Sequence, residues 1–174
     1  FRRGPSKACR LLRWSLDDDT FTPGQWIRGR VYERRCDLSP DGKYLIYFAQ
    51  NFRRPEPTGG SWTAISKLPW STALALWKKG NCWFGGGLFV TDRTVFVRQP
   101  TDGTRLVDVG RSFDRRFHLV RQFPCAYSAG GAECLGIYYP RLVRDGWRYV
   151  GRTSVDGAEV DTFEKPSPGR QDAV

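Results

Sequence analysis

The stretch CDLSPDGKYLIYFA, residues 36–49, carries the clearest structural signal in the chain. Its SPDG segment has the composition of a tight turn, because proline presets φ and an Asp-Gly pair tolerates a reversal of the backbone. The KYLIYF segment that follows is apolar on both faces of an extended chain, which is typical of a strand in the middle of a sheet. The stretch therefore predicts a turn that leads into a central strand.

Short strands are also predicted on both sides of this stretch. Residues 26–35, WIRGRVYERR, alternate with a period of two and predict one strand with a basic face. Residues 87–97 indicate a hairpin, residues 135–139 a short strand, and residues 144–166 alternating segments flanked by two Asp-Gly turns. The 19 Gly and 11 Pro fit a fold with many turns.

One helix is predicted at about residues 70–79. Trp70, Ala73, Leu74 and Trp77 fall at i, i+3, i+4 and i+7, and Gly80 suits the left-handed position after a helix. The chain is thus expected to be a β-rich α+β domain spanning residues 1–166, with a mostly antiparallel twisted sheet of short strands and hairpins, this amphipathic helix packed on it, and a frayed tail at 167–174. The expected core residues are Leu45, Ile46, Phe48, Leu74, Trp77, Phe89, Val95, Val97, Leu119, Ile137 and Trp147.

The segment SPDGKYLIYFA, residues 39–49, resembles the turn and strand of bacterial β-propeller repeats, in which it marks one blade of a binding platform that sometimes carries an enzyme. Blades recur every ~40 to 45 residues, and the loosely similar turns here, at Asp92 and Asp145, lack the Ser-Pro. The sequence therefore favours a hairpin leading into a central strand over a complete propeller. The wider set that includes ALALWKKGNCWFGGGLFV, DGWRYV and FEKP is similar to a family of small uncharacterised bacterial proteins. That second resemblance implies no activity.

The charge balance favours anionic partners. The formal net charge is +10, with 22 Arg and 6 Lys, and such a surface attracts acidic proteins or nucleic acids unless the charges are only scattered for solubility. The five cysteines include no C-x-x-C pair, which argues against a zinc centre and for reduced thiols in a cytoplasmic protein. No apolar run is long enough to span a bilayer, and neither a membrane nor a cofactor is expected.

Candidates for catalysis or metal binding are few. His118 is the only imidazole and could pair with Cys125 or Cys134 in a thiol enzyme. Three consecutive acids, Asp17 to Asp19, could bind a cation together with Asp37, although adjacent carboxylates splay apart and more often cap a helix or pair with arginines. The glycines at 85–87 lack the Lys-Ser/Thr of a phosphate loop and indicate close backbone packing.

The strongest functional signal is arginine beside aromatic residues on strands. Guanidinium groups bind carboxylates and phosphates and stack on rings. The sequence predicts a non-catalytic bacterial binding protein that uses this surface on an acidic protein partner, in the manner of an immunity protein or antitoxin. The alternatives are a module that binds RNA or single-stranded DNA, and a small cysteine-dependent enzyme. The candidate binding residues are Arg28, Arg30, Tyr32, Arg34, Arg148 and Arg152.

Overall fold

The computed structural model describes residues 1–3, 8–51, 58–83, 85–98, 106–107, 116–120 and 135–166. These residues form a β-rich α+β fold, which confirms the predicted class. The strands are β1 (Arg2–Arg3), β2 (Ala8–Ser15), β3 (Thr20–Arg28), β4 (Arg30–Val31), β5 (Asp37–Leu38), β6 (Tyr44–Gln50), β7 (Ser61–Lys67), β8 (Ala73–Lys78), β9 (Gly87–Phe89), β10 (Thr94–Val97), β11 (Leu106–Val107), β12 (His118–Val120), β13 (Arg148–Val155) and β14 (Ala158–Glu164). A 3₁₀ turn covers Glu33–Arg35, and the helix α1 covers Leu135–Arg144. The expected tail at 167–174 lies outside the described residues.

The strands are distributed over four sheets where the sequence predicted one. The largest has the order β11-β8-β7-β6-β4, with β5 also paired to β6. Two three-stranded sheets have the orders β1-β2-β3 and β12-β10-β9, and β13 and β14 form a separate ribbon. The described pairings are antiparallel except for β10 with β12.

Strand β6 lies at the centre of the largest sheet, as the sequence predicted. Its even-numbered residues Tyr44 and Ile46 belong to a core cluster shared with β9 and β10, and its odd-numbered residues Leu45 and Tyr47 to a cluster shared with β2 and β3. The six-stranded sheet is thus sandwiched between the two three-stranded sheets. Both faces of β6 are buried, which explains why this strand is apolar on both sides.

The turn before β6 is fixed by its own side chains. Ser39 Oγ donates to Asp41 Oδ1 at 2.7 Å and accepts the backbone N–H of Tyr44 at 2.9 Å. Gly42 adopts φ 67°, a left-handed conformation that favours glycine. Asp92, in the turn between β9 and β10, accepts the Asp41 N–H at 2.8 Å, so the turn also joins two sheets.

The helix predicted at 70–79 is wrong, because this segment contains the strand β8 (Ala73–Lys78). Ala75 and Trp77 are 2% and 4% exposed and belong to the cluster shared with β9 and β10. The half-buried Leu76 packs on the other face, whereas Leu74, where the register with β7 shifts, packs against the same cluster as Ala75 and Trp77. β8 pairs along its length with β7 and at its end with β11. A short segment that is apolar on both faces satisfies either period, and the hydrogen bonds offered by neighbouring strands decide for the strand.

The described helix is α1, in the segment where the sequence predicted a short strand at 135–139. Its Ile137 packs against Leu88 and Phe96, on the side of β9 and β10 opposite the six-stranded sheet. Gly146 ends the helix with φ 86°, and Trp147 N–H donates to Leu142 O at 2.9 Å, a helix-terminating arrangement. The Asp145-Gly146 pair therefore terminates a helix, whereas Asp156-Gly157 forms the predicted hairpin turn between β13 and β14.

The glycines at 85–87 serve close packing, as the sequence indicated. A Cβ on Gly85 would lie 2.5 Å from the Phe48 ring, and one on Gly86 would lie 2.2 Å from Arg35 O. A Cβ on Gly87 would lie 2.2 Å from Phe96 O. The backbone before β9 thus approaches its neighbours so closely that side chains are sterically excluded.

Candidate functional site

The hairpin formed by β2 and β3 presents one face to the core and one to the surface. Cys9, Leu11 and Ile27 are buried against the six-stranded sheet. A bulge in β3 changes the register between the pairs Arg10–Trp26 and Leu12–Pro23. Because paired residues of antiparallel strands share a face, the side chains opposite the core form one surface. This surface, called the ribbon face below, consists of Arg10, Leu12, Trp14, Phe21, Pro23, Trp26 and Arg28.

Three large aromatic side chains on the ribbon face are about half-exposed. Trp14 is 55%, Phe21 60% and Trp26 49% exposed. Trp14 and Phe21 stack with ring centroids 5.6 Å apart, and the Arg10 guanidinium lies 5.6 Å from the Trp26 ring centroid. A cluster of this kind on a surface marks an interaction site more often than scattered apolar residues do.

The three acids Asp17 to Asp19, predicted as possible metal ligands, lie in the turn between β2 and β3, and Asp18 and Asp19 accept hydrogen bonds from within the hairpin. Asp19 Oδ1 accepts the Trp14 indole N–H at 2.7 Å. Asp18 Oδ1 accepts the Thr20 hydroxyl at 2.9 Å, and hydrogen bonds from Ser15 and Thr20 lower the pKa of Asp18. Asp18 and Asp19 therefore stabilise the hairpin tip beside the Trp14–Phe21 stack.

Asp37, the other candidate metal ligand, is buried and paired. Its carboxylate forms an ion pair with Arg144 and accepts the Phe89 N–H at 2.8 Å. The described part of the chain contains no group of three His, Cys, Asp or Glu side chains that could hold a metal ion. Asp19 and Asp37 are thus engaged by protein groups, and Asp17 is exposed in the turn.

The first predicted row of binding residues does not lie on one strand. β3 ends at Arg28, Gly29 has φ 142°, and a Cβ on Gly29 would lie 2.4 Å from Gln50 O. Arg28 is exposed on the ribbon face, and Arg30 is exposed on the short strand β4. The predicted single strand over 26–35 is therefore wrong, since the backbone turns from one sheet into another at Gly29.

Tyr32 and Arg34 occupy different surroundings from those expected. Tyr32 is 6% exposed and its ring packs 5.3 Å from that of Phe48, so its predicted place on the surface is wrong. The Arg30 guanidinium covers this ring at 4.7 Å. Arg34 is exposed in the 3₁₀ turn.

The second predicted row, Arg148 and Arg152, is paired with acids of the neighbouring strand. Arg148 contacts Glu164 at 3.0 Å. Arg152 contacts Glu159 at 2.9 Å and Asp161 at 2.8 Å. These arginines lie on the β13–β14 ribbon, a different sheet from Arg28 and Arg30, and their charge is balanced locally.

The candidate thiol pair cannot be placed, because Cys125 and Cys134 lie outside the described residues. His118 is exposed on β12, and its backbone N–H donates to Arg93 O at 2.6 Å. Among the described cysteines, Cys9, Cys36 and Cys82 are free thiols. Burial raises the pKa of the Cys36 thiol to about 12, so it is protonated and unreactive at neutral pH.

The sequence contained a signal for the ribbon face that the prediction did not use. Residues 8–15, which contain Trp14, and residues 20–28, which contain Phe21 and Trp26, flank a polar acidic turn. The Thr22-Pro23-Gly24 segment, which has the composition of a turn, lies inside β3, where the register with β2 shifts. A predicted hairpin over these residues would have placed Trp14 and Phe21 side by side on paired strands.

Comparisons with protein-family models, curated proteins and solved structures give no match to this chain. The described residues include no helix with the length and hydropathy of a membrane-spanning segment. The case for a function therefore depends on the surface chemistry of the described residues.

Proposed function

We propose that this chain is a non-catalytic binding protein that engages an acidic protein partner through the ribbon face. The observation that carries the proposal is the clustering of Trp14, Phe21 and Trp26, each about half-exposed, with Arg10 and Arg28 on one side of one hairpin. Tryptophan and arginine dominate the energetically important centres of protein interfaces. Rings that are already stacked lose little conformational freedom on binding, which favours affinity.

The charge pattern of the hairpin supports a protein over a nucleic acid. Arg10 and Arg28 lie toward the base of the hairpin, whereas three aspartates lie at its tip, beside the Trp14–Phe21 stack. A single strand of nucleic acid carries a phosphate at every nucleotide, and it would have to place some of them against the aspartates. A folded protein can place carboxylates opposite the arginines and neutral or basic groups opposite the tip.

The test uses photo-crosslinking at the centre of the ribbon face. A benzoylphenylalanine at position 26 is expected to crosslink an acidic protein in an extract of the source cells. The matched control is position 83, where Trp83 is 63% exposed outside the ribbon face, and no crosslink to the same protein is expected there. With that protein purified, Trp26→Ala should weaken binding at least tenfold and Trp83→Ala should leave it unchanged.

The nucleic-acid alternative has its own measurement. Fluorescence anisotropy of a labelled oligothymidylate at low salt should show no binding to the chain. Binding that falls steeply with salt concentration, as phosphate contacts require, and that Trp26→Ala weakens would overturn the proposal. Failure of position 26 to crosslink any protein would also overturn it.

A further inference from the structure

The ribbon face is apolar along its middle and carries opposite charges at its two ends. The acids Asp17 to Asp19 lie at the tip of the hairpin, in the turn. From the tip toward the base, the residues of the face follow in the order Trp14–Phe21, Leu12–Pro23, Arg10–Trp26 and Arg28. A partner that covers this face must therefore match an acidic end, an apolar middle and a basic end.

The carboxylates at the tip are not balanced by an ion pair with any described cation. Asp18 and Asp19 accept hydrogen bonds from neutral groups of the hairpin, and Asp17 is exposed. The nearest cation in sequence, Arg13, alternates with Trp14 along β2 and therefore points to the other side of the hairpin. The tip thus keeps a negative charge beside the apolar middle.

The two arginines at the other end are likewise unbalanced. Neither Arg10 nor Arg28 forms an ion pair with a described carboxylate. Arg28 is exposed. Arg10 Nε donates to Gly24 O at 3.2 Å, which holds the guanidinium near the Trp26 ring. The base of the ribbon face therefore offers two positive charges at fixed places.

A partner on this face meets side chains and no free backbone groups. The N–H and C=O groups of β2 and β3 lie in the plane of the sheet and pair between the strands. The outer edge of β3 also accepts an added strand poorly, because Pro23 has no N–H and Gln25 N–H already donates to Pro69 O at 3.2 Å. The contacting element must satisfy its own backbone hydrogen bonds, as an α-helix does.

The dimensions of the ribbon face suit one helix. Two strands about 4.8 Å apart, with their side chains, form a surface about as wide as a helix, which measures about 10–12 Å across. From Arg10 to Trp14 the strand spans roughly 13 Å, the length of about nine helical residues. Such a helix presents apolar residues at i, i+3, i+4 and i+7, enough to contact both Trp26 and the Trp14–Phe21 stack.

We propose that the ribbon face binds a single amphipathic helix of the partner, with its N-terminus toward Asp17–Asp19 and its C-terminus toward Arg10 and Arg28. The helix dipole is positive at the N-terminus and negative at the C-terminus. This orientation is therefore attractive at both ends, and the reverse one is repulsive at both. Basic side chains in the first turn and acidic ones in the last turn strengthen the preference. The inference rests on the proposed function, because it identifies the part of the partner that contacts the ribbon face.

The test compares two helical peptides of the same composition, each labelled with fluorescein at the same central position. Both carry leucines at i, i+3, i+4 and i+7 and a hydrocarbon staple on the opposite face. The lysine-first peptide has lysines in the first turn and glutamates in the last, and the glutamate-first peptide has these charges exchanged. Fluorescence anisotropy should show at least tenfold tighter binding of the lysine-first peptide. The dipole makes the glutamate-first peptide the better helix in solution, so a difference in helicity predicts the opposite result. Equal affinities, or tighter binding of the glutamate-first peptide, would overturn the inference.

Arg28→Glu combined with Asp17→Lys exchanges charges between the two ends of the ribbon face without altering the net charge. This double variant should bind the two peptides with affinities within about threefold of each other. The matched control combines Lys78→Glu with Glu164→Lys, which exchanges exposed charges on β8 and β14, outside the ribbon face, and should keep the tenfold preference. A preference that survives in the first variant, or is lost in the control, contradicts the assigned orientation.

The helix inference and the proposed function fail in different ways. Trp26→Ala should weaken binding of the lysine-first peptide at least tenfold, and an unchanged affinity would place the peptide elsewhere on the chain and overturn the inference. If neither peptide binds while position 26 still crosslinks a protein, the helix inference fails and the ribbon face keeps its support. If position 26 crosslinks no protein, the proposed function fails and this inference with it.

Discussion

The ion pair between Asp37 and Arg144 is predicted to be the interaction that holds α1 against the sheets. The Asp37 side chain is 7% exposed and that of Arg144 is 21% exposed. Arg144 Nη2 donates to Asp37 Oδ1 at 3.2 Å, and Nη1 also donates to Phe89 O at 2.7 Å. One guanidinium thus joins the end of the helix to β5 and β9, and Asp37→Ala would remove the acid on which this arrangement depends.

The magnitude follows from what the substitution leaves behind. Breaking a fully buried ion pair costs about 3–5 kcal/mol, because the remaining charge stays buried without its partner. Arg144 keeps some contact with solvent and a second partner, Asp145, at 2.9 Å, which reduces the loss. The Phe89 N–H, however, loses its acceptor, which adds about 1–3 kcal/mol. We expect Asp37→Ala to lower the free energy of unfolding by about 3 kcal/mol.

The assay is urea unfolding at neutral pH, followed by tryptophan fluorescence and far-ultraviolet circular dichroism. A double-mutant cycle with Arg144→Ala should give a coupling energy of about 1.5–3 kcal/mol. The control is Glu164→Ala, which removes a pair whose side chains are 77% and 57% exposed and should change stability by less than about 1 kcal/mol. If Asp37→Ala costs no more than this control, the reasoning is refuted.

Two further predictions concern backbone packing and pH. Gly86→Ala should destabilise the fold by at least about 2 kcal/mol, since φ is 84° and the new Cβ would lie 2.2 Å from Arg35 O. Gly146→Ala, where φ is 86° and the new Cβ would meet open space, should lower the free energy of unfolding by about 1 kcal/mol. Gly151→Ala, in open space and without a positive φ, should lower it by less than about 0.5 kcal/mol. Urea unfolding measures all three variants, and equal losses of stability would contradict the packing argument. Hydrogen bonds from Arg152 and Tyr139 lower the pKa of Asp161, so its contribution is present above the unfolded pKa of about 3.9 and is lost as pH falls below that value. The stability difference between the unaltered chain and Asp161→Asn should therefore shrink between pH 7 and pH 2.5, and a constant difference would refute this assignment.

Local sequence signals predicted the parts of this fold that depend on neighbouring residues. The turn at Ser39–Gly42 and the central position of β6 were predicted correctly, because turn chemistry and two apolar faces are both visible within a few residues. The segment 73–78 was misassigned because the strand is selected by hydrogen bonds from β7, which lie outside the segment itself. Eight of the eleven expected core residues are buried. The exceptions are Leu74 and Trp147, which are half-buried, and Leu119, which is 40% exposed.

For the candidate site, the sequence predicted the types of side chain but not their positions. The combination of arginine with aromatic residues was anticipated, but of the predicted residues only Arg28 lies on the ribbon face. The break at Gly29 could not be read from the alternation of residues 26–35, because it arises from the close approach of Gln50 O.

The exposure of the ribbon face follows from how the hairpin is stabilised. Its base is held by the burial of Cys9, Leu11 and Ile27 in the core, whereas its tip extends beyond those residues. The tip carries its own stabilising contacts in the Trp14–Phe21 stack and the hydrogen bond from Trp14 to Asp19. Because these contacts lie within the hairpin, no further layer is required to order it, and its aromatic side chains can remain available. A rigid, partly apolar surface of this kind loses little entropy on binding, which is the physical basis for assigning recognition to it.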